Sequence, residues 1–366
     1  MIAATALRTR PSLAMVDVPV GPPAAHEPSL PQRQEAVLAL FGDDACDPLL
    51  PSFRAVLVRE TSRLFERLVL PAVRPVWPGI DDSRFLAKWR GGYELYCGLG
   101  LSTIVCSARR PALVGLASRL LRAVGADEGA VVGVARTAIP VVFRLLERER
   151  CERVALGAAW ILVLDEALDD GMPDLSLADK ASTMRRVVRG DVDATASVEL
   201  RAAAALGRAL RQRCRDDVDH RAFDTLLLAA DAWTDGELHC VAGTTDPTGC
   251  AFRMAGVTGS MDVLLWGVDA YAGDVERDFL YRIAELGQMA DDWLDIEKDR
   301  AQGRTTPAVT GVWGVDDMAR VFARAEALLL SLAEQAGEPD SPFRRLLVRT
   351  FRGEVQRMAR TLVDNP

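Results

Sequence analysis

Two strings of acidic residues stand out against an otherwise apolar, arginine-rich chain. The first is Asp165-Glu166-Ala-Leu-Asp169-Asp170, which closes the apolar run Trp160 to Leu164. The second is Asp291-Asp292-Trp-Leu-Asp295-Ile-Glu297-Lys298-Asp299. On a helix, Asp165 and Asp169 project from one face about one turn, roughly 6 Å, apart, and Glu166 and Asp170 do the same. Asp291, Asp295 and Asp299 recur at i, i+4 and i+8, a stripe of three like charges along two turns. Like charges at that spacing cost about 0.2–0.5 kcal/mol each in water and more when partly buried. A solvated helix end accounts for the first string more readily than a metal site does, although its place at the end of the apolar run raises the metal reading. No structural demand accounts for the stripe. The chemistry it offers is coordination of a hard cation, Mg²⁺ foremost, whose oxygen shell combines carboxylates, waters and the phosphate oxygens of a substrate. Lys298 sits beside the stripe and, with Arg304, is placed to grip the same anion.

The elements that must carry these acids are helices. From about Gln34 onward apolar residues recur three and four apart, as in Leu57, Leu64 and Leu68 or Leu113, Leu116 and Leu120, and alternating strand patterns are nearly absent. Breaks at Pro71 to Pro78, Gly91-Gly92, Gly125 to Gly129, Gly171 to Pro173, Thr244 to Gly249, Gly267 to Gly273, Gly303 to Pro307 and Gly337 to Pro342 predict roughly ten helices in one large all-α bundle. Val154 to Leu164 and Met254 to Val268 are apolar around the whole circumference and belong in its middle. Residues 1 to about 34, with Pro11, Pro19, Pro22, Pro23, Pro28 and Pro31, read as a disordered arm dispensable for catalysis, leaving 35–366 as a single domain.

Composition narrows the function classes. The 366 residues are 49% hydrophobic and 26% charged with net charge −8, and the sequence pI is about 5.2, which argues against a nucleic-acid binder resting on a basic surface. Seven cysteines without a C-x-x-C pair read as buried thiols of a cytoplasmic protein. His26, His220 and His239 are too scattered for a zinc ladder. No run of 18 apolar residues is free of charge, so no integral membrane segment is expected.

Taken together these strings resemble the class I isoprenoid synthase superfamily. The second, read D-D-x-x-D-x-x-x-D after Gly287-Gln288, is similar to the second aspartate-rich motif of the trans-isoprenyl diphosphate synthases. Its spacing also resembles the N-D-x-x-S-x-x-K-E metal motif of class I terpene cyclases, with Asp291, Asp295 and Asp299 in the liganding places and Lys298 as the lysine. The first looks like D-D-x-x-D with Glu166 in place of the second Asp. Phe252-Arg253-Met-Ala-Gly-Val-Thr-Gly259 resembles the V-A-G helix of squalene and phytoene synthases. The three occur in family order across roughly residues 155–307. The membrane prenyltransferases share a string that Asp295 to Thr306 echoes, but the missing spans set them aside.

The resemblance implies a helical bundle of the terpenoid synthase type with a central active-site cavity, and a cluster of Mg²⁺ ions held by Asp165, Asp169, Asp291, Asp295 and Asp299, with Glu166 and Asp170 supporting them. A prenyl diphosphate substrate would meet Arg253, Lys298 and Arg304, and the aromatic faces of Trp160, Phe252, Trp266 and Trp293 would line the carbocation pocket; for each aromatic, core packing is the competing reading. Departures from the family patterns select among reactions. Gly91-Gly92 is followed by Tyr93-Glu94, and the first motif by Gly171-Met-Pro-Asp174, so the basic site for a second diphosphate is missing. Gln302-Gly-Arg304-Thr-Thr-Pro307 lacks the tyrosine of squalene-type synthases, and no D-x-D-D string is present. These features favour a terpene synthase acting on a linear or pre-cyclised C15–C20 diphosphate, a diterpene precursor foremost. The alternatives are a prenyltransferase joining prenyl diphosphates and a non-catalytic partner subunit, and a homodimer is compatible with either. Asp231, Asp235 and Arg185, Arg186, Arg189 are left between site and solvated surface.

Overall fold

The computed structural model describes residues 28–41, 49–82, 84–106, 128–241, 247–268, 274–335, 352–353, 355–356 and 358–364, and every regular element among them is helical. In chain order the helices are α1 Leu30–Phe41, α2 Leu49–Leu64, α3 Leu70–Val73, α4 Arg84–Cys106, α5 Glu128–Val141, α6 Arg148–Asp169, α7 Leu177–Val188, α8 Val198–Arg211, α9 Asp217–Val241, α10 Pro247–Val268, α11 Asp274–Leu294, α12 Ile296–Ala301 and α13 Val315–Gln335. Wide π turns at Phe65–Val69 and Val142–Leu146 join α2 to α3 and extend α5. No described helix is long and apolar enough to cross a membrane.

Helix α6 is the axis. Every residue from Cys151 to Ile161 is buried, as its circumferential apolarity predicts. It packs against α4, α8 and α10. The close approach depends on missing side chains: a Cβ at Gly100 of α4 would stand 2.5 Å from Val154 Cγ1, and one at Gly267 of α10 would stand 2.8 Å from the Val154 backbone nitrogen. The same reasoning corrects an expected break. Gly91-Gly92 lies inside α4, where a Cβ on Gly92 would come within 3.0 Å of Leu162 Cδ2, so that glycine serves packing with α6 and not chain reversal. Helices α7 and α8 begin where the serine caps say they should, with Ser176 Oγ accepting from Asp179 N at 3.2 Å and Ser197 Oγ from Leu200 N at 3.4 Å.

The apolar interior forms two clusters. The larger surrounds α6 and gathers α2 to α10. The smaller joins α1, α11, α12 and α13 through Val37, Leu286, Leu294, Ile296, Trp313 and Leu329. Tyr281 of α11 crosses between them, donating its hydroxyl to Asp262 Oδ1 of α10 at 2.5 Å. The boundary expected near residue 34 falls inside α1, whose Arg33 is only 1% exposed. Residues 1–27 lie outside the described residues.

Candidate functional site

The first acidic string occupies the last turn of α6, where the backbone carbonyls already concentrate negative charge. Asp165, Asp169 and Asp170 are exposed and Glu166 is half-buried. Gly171 lets the chain turn away, since a Cβ there would strike the Ala167 carbonyl oxygen at 2.5 Å. Four carboxylates at a helix C-terminus require cations, and two are supplied from distant sequence. Lys88, at the start of α4, meets Glu166 at 3.2 Å, and Arg304 meets Asp169 Oδ1 at 2.9 Å. Burial works against the charge on Lys88, but attraction by Glu166, Asp165 and Asp169 outweighs it and holds the amine above the ordinary lysine range. For Glu166 the balance goes the other way: burial, helped by repulsion from Asp170, raises its carboxyl despite Lys88.

The second string spans the junction of α11 and α12. The i, i+4 backbone bonds persist through it, with Asp295 N to Asp291 O at 2.9 Å and Asp299 N to Asp295 O at 2.8 Å. The three stripe residues nevertheless end in different surroundings. Asp291 is exposed. Asp295 stands at the N-cap of α12, where its side chain caps no backbone N–H and instead meets Lys298 Nζ at 2.6 Å. Asp299 is turned inward, 6% exposed, and accepts the Thr306 hydroxyl at 3.3 Å. Its backbone carbonyl also accepts Arg304 N at 2.9 Å. Asp299 thus anchors the 302–306 loop, and that anchorage delivers Arg304 to Asp169. Gly303 makes the turn possible with φ of 70°, a conformation that favours glycine. Asp292, outside the stripe, is buried and accepts from Gln288 Nε2 at 2.8 Å.

Helix α9 completes this end of the molecule. Its Cys240 carbonyl accepts from Thr305 N at 3.2 Å and from Thr305 Oγ1 at 3.3 Å. The undecided charges on α7 and α9 answer one another: Arg185 pairs with Asp235 at 2.7 Å and Arg189 with Asp231 at 2.6 Å. Arg186 instead turns to Asp191 at 2.9 Å.

Of the four aromatic residues expected to line a pocket, the three whose side chains are described pack among helices. Trp160 is fully buried, stacked on Phe223 with ring centroids 6.3 Å apart, and its indole nitrogen would stand 3.2 Å from a Cβ on Gly207. Trp266 lies under the guanidinium of Arg153, 4.6 Å from its ring. Arg153 is twelve residues before Asp165 on α6, about 18 Å away along the axis. Trp293 packs into the smaller core and stands 3.7 Å from where a Cβ on Gly314 would be. Trp160 and Trp266 are buried because helices apolar on every side present their tryptophans to neighbouring helices, whereas Trp293 sits partly buried on the apolar face of amphipathic α11. Phe252 and Arg253 lie on α10, and their side chains fall outside the described residues.

Lys88 is the site residue that the sequence reading missed, since 78 positions separate it from its partner; its rarity as one of three lysines was the available signal. Among the described residues no three carboxylate, histidine or cysteine groups converge into a ready-made cation cage. The donor set still suits a hard cation: exposed carboxylates of α6 and of the α11–α12 junction, with Arg304 standing at Asp169 where positive charge is required. Comparison of the chain with protein-family models, curated proteins and solved structures gives no match.

Proposed function

We propose that the chain is a class I terpene synthase of the terpenoid synthase bundle type, ionising one prenyl diphosphate between its two acidic clusters. The observation that carries this reading is the Arg304–Asp169 pair at 2.9 Å, which ties the loop after the second cluster to the first. Both partners are substantially exposed, 32% and 41%, and such a pair contributes only about 0.2–1 kcal/mol. A stronger ligand can therefore displace it. The cations near the acids, Lys88, Lys298 and Arg304, match a diphosphate, which needs positive charge most as its bond to the allylic carbon breaks.

Asp165, Asp169, Asp291 and Asp295 would hold Mg²⁺. When bound, the metal supplies Lewis-acid stabilisation of the departing diphosphate. The chain's own groups do the rest: Arg304 swings between Asp169 and a diphosphate oxygen, Lys298 leaves Asp295 for the same anion, and Lys88 keeps Glu166 from competing. Incubation with geranyl, farnesyl and geranylgeranyl diphosphate, singly and in pairs, with and without Mg²⁺, tests the reading. A hydrocarbon or alcohol from one diphosphate in the presence of Mg²⁺ is the expected result. Coupled products from pairs would make the protein a prenyltransferase, and no turnover with any of them would leave it a partner subunit.

A further inference from the structure

About 25 Å along α6 from Asp165, at the helix's other end, apolar side chains and arginines share one surface. Val141, Leu145 and Leu146, at the close of α5 and in its π turn, are 46%, 74% and 57% exposed. Val141 and Leu145 are four apart and point to the same side. Val58 of the adjoining α2 is 39% exposed. Single exposed leucines are ordinary, but neighbouring ones of this exposure call for a reason.

Beside them runs a ladder of guanidinium groups. Arg59, Arg63 and Arg67 recur every four residues along α2 and its π turn, and Arg144 and Arg148 face them from the α5–α6 corner. Glu60, fully buried, is reached by Arg63 at 2.7 Å, by Arg59 at 3.9 Å and by Arg144. Glu152 is reached by Arg67 at 2.7 Å, Arg148 at 3.0 Å and Arg213 at 2.8 Å. Six cations thus share two anions. The guanidinium-bearing side chains remain well exposed, from 29% for Arg63 to 63% for Arg148. On a chain of net charge −8 the ladder itself is locally positive, the other acids of this corner, Glu66, Glu147 and Glu149, being paired with Arg90, Arg150 and Arg215.

We propose that the α5–α6 corner docks on the surface of an anionic lipid bilayer, with Leu145, Leu146 and Val141 entering the acyl boundary and the arginine ladder meeting lipid phosphates. Guanidinium groups suit phosphate oxygens, and apolar side chains set among cations are the composition of interfacial anchors. Charge argues against a second copy of the chain as occupant, because a two-fold contact through this face would oppose like ladders. The inference does not depend on the reaction proposed above.

Sedimentation of the full chain with phosphatidylcholine vesicles, with and without about a third phosphatidylglycerol, tests it. Binding to the anionic vesicles alone, weakened by 0.5 M NaCl, is expected, and the Leu145→Glu/Leu146→Glu variant should lower partitioning by at least about tenfold with an unchanged thermal melt. Leu145→Ser/Leu146→Ser adds no charge and should give a smaller loss. Absence of wild-type binding, or unaltered binding by both variants, overturns the proposal. Light scattering that shows a lipid-free dimer, split by the same variants, would overturn it in favour of a subunit interface.

Discussion

Asp165 and Glu166 adjoin in sequence but meet different surroundings, and the difference divides their roles. Asp165 and Asp169 are exposed on the last turn of α6, whereas Glu166 is half-buried against Lys88. Glu166→Gln should keep measurable turnover with a raised Mg²⁺ requirement, within the about 10–100-fold loss typical of a supporting group. Asp169→Asn should be close to inactive, so steady-state rates across an Mg²⁺ titration separate the two; equal inactivity would move Glu166 among the ligands. Asp299 gives a second contrast. As a buried acceptor for Thr306 it holds a loop, and Asp299→Ala should cost about 1–3 kcal/mol of stability in denaturant unfolding, whereas exposed Asp291→Ala should stay within about 0.5 kcal/mol. Both acidic strings were legible in the sequence because repulsion at helical spacing is visible without coordinates. The inward turn of Asp299 was not, since it depends on where Thr306 returns. Nor was Lys88, whose partner is remote.

At the scale of elements, circumferential apolarity identified the two central helices correctly, and the Gly91-Gly92 pair misled because a glycine that breaks a helix and one that admits a neighbour look alike in sequence. The α11–α13 contact holds a feature with a pH signature. Glu285, 3% exposed, pairs with Arg282 at 2.5 Å, yet burial outweighs Arg282 and Arg324 and pushes its carboxyl up to about 7. The folded chain then holds a proton that the unfolded chain has released, so the contribution of this group to stability is greatest below the ordinary value of 4.5 and falls as pH rises towards about 7. That window corresponds to on the order of 3 kcal/mol. Melting temperatures recorded from pH 4.5 to 8 should show this decline, and Glu285→Gln should flatten it.

For the molecule as a whole, the two acidic clusters belong to different apolar cores, joined near the acids by Arg304 and farther away by Tyr281. The smaller core includes α1, whose Arg33 pairs with Glu297 of α12 beside the second cluster. Deletion through residue 35 should therefore lower the melting temperature by about 1–3 °C if one or two kcal/mol are lost, because a chain of this length has a large unfolding entropy. One further consequence follows from the placement of the lysines. The chain carries 41 arginines by difference from 44 basic residues but only Lys88, Lys180 and Lys298 as side-chain amines, and two of these three are paired with the acidic clusters. Amine acylation is thus a footprinting reagent that nature has already targeted: with Mg²⁺ and inorganic diphosphate present, mass spectrometry should find Lys88 and Lys298 shielded from acetic anhydride, with Lys180 on α7 as the internal reference.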